Sequence, residues 1–179
     1  FIKPTEGLVT SFFSNGRRHP VLTGVIRAHQ GVDFGWQGTD DKVVASASGT
    51  VRVHPFHPKG AGNYISIVHG NGWTTGYLHL KTILVKNGQK VKQGQVIGIK
   101  GNTGIGTGVH LHFELQRSNG WTNDFNKKVD PLLHFVDPTT KQWQGWLKDL
   151  GYYNGSVDGI YGDGTIKAVT DYQKKNRLH

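Results

Sequence analysis

The chain has 179 residues, enough for one well-cored domain and a small appendage. It contains no cysteine, which rules out disulfides and thiolate metal sites, and no apolar run long enough to span a bilayer as a helix. Lysine and arginine (21) exceed aspartate and glutamate (12), and the net charge of +9 favours polyanions such as nucleic acid, acidic membrane or an anionic cell wall. No nucleic-acid-binding motif accompanies that charge, so nucleic acid is not the expected partner.

The chain opens on "FIKPTEG", which is no signal peptide, and it lacks methionine throughout; the expectation is that the true start has been removed. "RAHQGVDFG" (27–35) follows, with His29 and Asp33 on either side of Gly31. A fully extended backbone would hold their Cα atoms about 13 Å apart, too far for one small ion, so a bend is required, and glycine permits it. From Lys42 to Gln116 the pattern is strand, turn, strand, with no long amphipathic helix. Ser48-Gly49, Asn87-Gly88 and Gln93-Gly94 read as turns, and Gly70-Asn71-Gly72 joins two strands as a hairpin. "KGNTGIGTG" (100–108) is a Gly-rich loop whose Asn102, Thr103 and Thr107 are candidates for lining a groove. In the strand "GVHLHFEL" (108–115), alternation puts Val109, Leu111 and Phe113 on a buried face and His110 and His112 on the other.

The pattern changes near Val136–Thr139. Trp143, Trp146, Leu147 and Leu150 fall at helical spacing, and Gly151 stops that helix. A second helix follows within 162–178, with Asp163 as the expected N-cap and Ile166, Val169 and Tyr172 on one face. The expected division is therefore 1–137 and 138–179. The fold class is mainly β: an antiparallel sheet domain followed by a small helical segment.

Of the ten histidines, His19, His54, His57, His69, His134 and His179 have ordinary explanations beside prolines, at turns or at segment ends. The other four are His29, His79 in "YLHL", and the pair His110 and His112, which share a strand face closely enough for either or both to reach one ion. Two histidines and a carboxylate with an open position make a catalytic zinc site; four protein ligands make a closed, structural one. A further imidazole serves as acid, base or oxyanion donor. Glu114 continues the face of the histidine pair, either orienting a ligand or simply solvated.

"HQGVDFG", "GYLHL" and "GVHLHFEL", in that order, resemble the signature segments of the lysostaphin-like zinc endopeptidases that cut bacterial peptidoglycan. "KVVASASGTV" and "VKQGQVIGIKGNTG" fit the same family, and the resemblance covers roughly residues 1–137. It implies an antiparallel β endopeptidase fold and one zinc per chain held by His29, Asp33 and His112. It also places His79 and His110 beside the water and the scissile carbonyl. The tail is similar to the small helical peptidoglycan-binding repeat, whose third helix would follow His179, so this segment is expected to be incomplete. The implied activity is hydrolysis of stem-peptide or cross-bridge bonds in peptidoglycan by a monomeric protein. It would act outside the cell or in the wall, as a secreted autolysin or a phage-delivered lysin. The rival readings are a non-catalytic wall-binding or activator protein on the same fold, a biotinyl- or lipoyl-type carrier domain, and a nucleic-acid binder. An intact set of five site residues argues against the first, the histidine cluster and the lack of a convincing attachment lysine argue against the carrier, and nucleic acid rests on charge alone.

Overall fold

A computed structural model describes residues 1–177 apart from Leu22, Gln37, Thr39 and Asp40. The first strands are β1 (Val9–Ser11), β2 (Ser14–Arg18), β3 (Ile26–His29), β4 (Val32–Gly35), β5 (Lys42–Val44) and β6 (Gly49–Val53). The next are β7 (Asn63–Gly70), β8 (Trp73–Leu80), β9 (Thr82–Ile83), β10 (Lys90–Val91), β11 (Val96–Ile99), β12 (His110–Arg117) and β13 (Lys128–Val129). Helices α1 (Pro138–Asp149) and α2 (Asp163–Lys175) complete the chain. Pro4–Pro131 forms one compact unit, and Phe1–Lys3 with the chain from Leu132 onward forms another. No helix among the described residues is long and apolar enough to cross a membrane.

The expected hairpin forms. Asn71 and Gly72 both take positive φ (54° and 78°), the combination a two-residue turn between twisted strands requires, and Asn-Gly supplies it at least cost. It joins β7 to β8 at the centre of an antiparallel sheet with the order β1-β4-β12-β8-β7-β6-β10, with β13 added beside β12. A smaller sheet, β5-β11-β9, and a separate ribbon, β2-β3, make up the rest of this unit. The turns at Asn87-Gly88 and Gln93-Gly94 share one device: the Lys86 and Lys92 amides donate to the side-chain oxygens of Gln89 and Gln95.

The core consists of Val32, Phe34, Val51, Ile65, Ile67, Tyr77, Leu80, Ile97, Leu111, Phe113 and Leu115, all buried. Strand β12 is its axis and departs from simple alternation. Leu111, Phe113 and Leu115 face the core as expected, but Val109 precedes the strand and is 42% exposed. The opposite face, carrying His112, Glu114 and Gln116, is buried too. The segment after β12 supplies partners to it: Gln116 Oε1 accepts from the Thr122 amide, and Lys128 pairs with Glu114.

In the helical unit, only Leu147 of the expected apolar face of α1 turns inward, joined there by polar residues. Thr140, Gln144 and Leu147 are buried, whereas Trp143, Trp146 and Leu150 are exposed. Gln144 Nε2 donates to Asp158, to the Ile160 carbonyl and to Thr165, and its Oε1 accepts from the Gly159 amide. A hydrogen-bonded glutamine thus sits beside the apolar cluster of Leu147, Tyr153 and Ala168. Asp137 caps α1 by accepting from the Thr139 and Thr140 amides. In α2 the N-cap is Gly162 and Asp163 is the first helical residue, so the expected Asp163 cap is displaced by one position. There the carboxylate still favours the helix dipole.

Candidate metal centre and groove

Sheet pairing assembles the site. β12 lies between β4 and β8, with His112 opposite Asp33 on one side and Leu78 on the other, and His110 opposite Gly35. His29 closes β3, and the chain turns through Gln30-Gly31 into β4, which brings His29 and Asp33 together without an extended link. Gly31 is needed for close approach: a Cβ there would lie 2.1 Å from the Phe113 carbonyl oxygen. β8 runs through His79 to Leu80, and His79 holds a left-handed φ of 64°, unusual for a residue with a side chain.

The hydrogen bonds fix how each ring is turned. His29 Nδ1 donates to the Phe12 carbonyl (2.7 Å), leaving the lone pair of Nε2 facing Asp33 Oδ1 at 3.1 Å. His112 is turned the other way. Its Nε2 donates to Glu114 Oε1 (3.2 Å), and its Nδ1 lies 2.7 Å from the same Asp33 oxygen and 3.0 Å from His29 Nε2. Two nitrogen lone pairs and a carboxylate oxygen therefore converge, a donor set that repels itself unless a cation or proton sits among it. All the potential ligand atoms of His29, Asp33 and His112 lie within 4.8 Å of one another. Two imidazoles and one carboxylate suit zinc with a position left open.

Electrostatics agree with that need for positive charge. Burial raises the Asp33 pKa, but its hydrogen bonds to His112 and His29 outweigh burial and hold the carboxyl well below the usual carboxylate range. Burial lowers the His112 pKa, yet Asp33 and Glu114 outweigh it and push the ring up to about 9. Glu114, far from being solvated, is buried; desolvation works to raise its pKa, and bonds to His112 and Lys128 keep it ionised.

His79 and His110 lie beside this cluster, their ring centroids 4.8 Å apart, with His79 6.0 Å from the His112 ring. His79 Nδ1 donates to the Thr103 carbonyl and His110 Nδ1 to the Gly108 carbonyl, both at 2.8 Å. Nε2 is thereby left as the uncommitted nitrogen of each ring. Burial, and then the charges of His112 and His110, push His79 down to about 4, so it is neutral at ordinary pH.

All five residues line one groove of about 1200 Å³. Of the glycine-loop candidates, Thr107 lines it, Thr103 stands behind His79 as its hydrogen-bond partner, and Asn102 is not on the groove surface. His19 and His57, set aside on sequence, line it as well, together with Arg17, Arg27, Trp36, Tyr64 and Trp121. Nothing in local spacing marks these; they arrive from separate loops and strands. His54 and His69 have structural partners, stacking on Tyr64 and bonding Thr75 respectively. His134 belongs to the helical unit, and His179 lies outside the described residues.

Comparison with known proteins agrees with this geometry. Residues 27–131, more than half of the chain, match the model of Peptidase family M23, and a model of a peptidoglycan binding domain matches residues 137–179. The peptidoglycan DD-endopeptidase ShyA of Vibrio cholerae is 51% identical over 108 residues, covering 60% of this chain and 24% of ShyA. A zinc-containing peptidase from Vibrio cholerae superposes with a TM-score of 0.56 at 45% identity, covering 63% of this chain and 35% of that one. The catalytic domain of lysostaphin from Staphylococcus simulans does so with a TM-score of 0.59 at 30% identity, covering 70% of this chain and 90% of that domain. The chain spans about a quarter of the length of ShyA and of two other curated relatives it matches. With its antiparallel sheet, its His-Asp-His cluster and this match, the chain belongs to peptidase family M23.

Proposed function

We propose that this protein is a zinc-dependent endopeptidase that hydrolyses peptide bonds in the stem peptides or cross-bridges of bacterial peptidoglycan. The observation that carries the reading is the convergence of His29 Nε2, His112 Nδ1 and Asp33 Oδ1 in a groove that also holds two further imidazoles. His29, Asp33 and His112 would hold one zinc ion per chain. Zinc, when bound at such a set, polarises a carbonyl and lowers the pKa of water toward ~7. His79 and His110 divide the remaining work between them. One takes up the water's proton at Nε2 and passes it to the departing amine; the other, when protonated at Nε2, donates to the developing oxyanion. The Thr103 and Gly108 carbonyls engage Nδ1–H of both rings, so Nε2 is the nitrogen left to exchange a proton in each. Glu114 holds the His112 ring by accepting from its Nε2.

Residues 1–137 form the catalytic domain in this reading, and residues 138–179 attach it to the wall. The strongly basic chain is drawn to anionic wall polymers. The protein would work as a monomer outside the cytoplasm, as a secreted autolysin or a phage-delivered lysin. The test is metal content against wall lysis: about one zinc per chain, activity lost to a chelator and restored by zinc. Metal-free protein with full lytic activity would refute the proposal.

A further inference from the structure

The ribbon β2-β3 forms one wall of the groove, and its pairing is unusual. Arg17 and Arg27 are direct partners across the antiparallel ladder. Like charges placed opposite each other in a sheet destabilise it. Both arginines nevertheless line the groove, on the wall that also carries His29 and the neighbouring Asp33. His19 stands with them; burial and then the charges of Arg27 and Arg17 depress its pKa, as expected in a locally positive field.

The arginine donors are largely unspent. Arg17 Nη2 lies 3.8 Å from Asp33 Oδ2, too far for a hydrogen bond, and Arg17 Nε is buried with no partner among the described residues. Asp33 and Glu114 are the groove's acidic lining residues among those described. Asp33 is engaged by His29 and His112, and Glu114 by His112 and Lys128. Two guanidinium groups thus lie on the groove next to the proposed metal ligands: Arg17 reaches only Asp33 at 3.8 Å and the Arg18 carbonyl at 3.5 Å, and Arg27 is exposed. A buried donor left without a partner costs stability, and a planar fork of N–H groups matches a carboxylate better than any neutral group.

We propose that Arg17 and Arg27 form a carboxylate-binding subsite, so that the preferred substrate is a peptide carrying a free carboxylate close to the scissile bond. The inference rests on the peptidase reading and narrows it. Stem peptides of peptidoglycan carry such carboxylates, and an oligoglycine bridge carries none. The subsite therefore selects stem-peptide crosslinks over glycine bridges. In this reading Arg27 is a specificity determinant and not part of the hydrolytic machinery; the arginine that pairs with Asp33 is Arg17. Arg17, beside Asp33, also shapes the ligand's surroundings.

The experiment compares two synthetic crosslinked peptides that differ only in having that carboxylate free or converted to a carboxamide. The zinc-loaded full chain should cut the carboxylate peptide with a kcat/KM at least roughly tenfold higher, the scale of one charge-assisted pair. In Arg27→Gln the ratio for the two peptides should collapse toward one, with the loss falling in KM. Arg27→Lys, which keeps the charge but not the fork, should retain part of the preference and controls for folding. Equal rates on both peptides with the unaltered chain, or an equal loss on both in Arg27→Gln, overturns the subsite. If neither peptide is cut, the peptidase reading fails first, and calorimetric binding decides the subsite. Tighter binding of the carboxylate peptide, abolished in Arg27→Gln, supports it; equal binding of the two peptides refutes it.

Discussion

Lys128 is the most informative residue to perturb outside the groove. Its side chain is fully buried; Nζ pairs with Glu114 Oε2, donates to the Thr122 carbonyl at 2.7 Å and lies 4.3 Å from the centre of the Trp121 ring. The other Glu114 oxygen accepts from His112 Nε2. Lys128→Met keeps the volume but strands a carboxylate with one partner in a water-poor site. Breaking a buried pair from one side costs about 3–5 kcal/mol. At roughly 2–4 °C per kcal/mol for a chain of this size, the unfolding midpoint should fall by about 6–20 °C. Loosening Glu114 also frees the His112 ring, so zinc affinity should drop about 10- to 100-fold. Adding Glu114→Gln should recover much of the stability, because the stranded charge is gone while Oε1 still accepts from His112. Thermal melts of the zinc-loaded chain and competition with a chromogenic chelator give both quantities. If Lys128→Met changes neither, or if the two substitutions simply add, the pair is not supporting His112.

His112→Ala should lose zinc, whereas His110→Ala should keep it and lose on the order of a hundredfold or more in rate; equal zinc loss in both would make both of them ligands. His69 is a pH probe away from the site: burial depresses its pKa in the fold, outweighing its bond to the Ser48 carbonyl. Its stabilising share is therefore full above the unfolded value of about 6.5 and is lost as pH falls below it. Melting temperatures should decline from pH 7 to pH 5, less steeply in His69→Gln, and identical slopes would remove His69 as a cause. Wall association should weaken as salt rises past roughly 0.15 M. Salt-insensitive binding that vanishes on deleting residues 138–179 would shift the weight from charge to specific contacts of the tail.

The elements that local chemistry dictates were legible from the sequence. Asn71-Gly72 has few alternatives to a tight hairpin, and both histidines of "GVHLHFEL" end up with His29, Asp33 and His79, as the motifs imply. What local chemistry does not dictate was not. Trp143, Trp146 and Leu150 have the spacing of a core face, yet α1 turns Gln144 inward. A glutamine with five partners is satisfied there, and hydropathy cannot anticipate partners supplied by residues 153 to 165. Val109 fails for a related reason: alternation continues on paper past the point where the strand begins, at His110. The Glu114–Lys128 pair and the Arg17–Arg27 partnership are equally unreadable, because each depends on which distant segment lies opposite.

Ring orientation is the step that turns five polar residues into distinct roles. Strand alternation places His110 and His112 on one face and makes them equivalent; their hydrogen bonds do not. His112 spends Nε2 on Glu114 and offers Nδ1 to the same point as His29 Nε2 and Asp33 Oδ1. His110 spends Nδ1 on the Gly108 carbonyl and is left with Nε2, the nitrogen at the far end of the ring, as does His79 on the Thr103 carbonyl. A ring offering Nδ1 brings its Cβ close to what it binds, which suits a ligand on a strand packed against β4. A ring offering Nε2 reaches farther and suits a group that must meet a substrate arriving from solvent. The ring nitrogen each histidine commits is set by neighbours of opposite kind, a buried carboxylate for His112 and backbone carbonyls of the loop for the other two. In the proposed reading, the ligand and the proton carriers thus differ in which ring nitrogen their hydrogen-bond partners leave uncommitted.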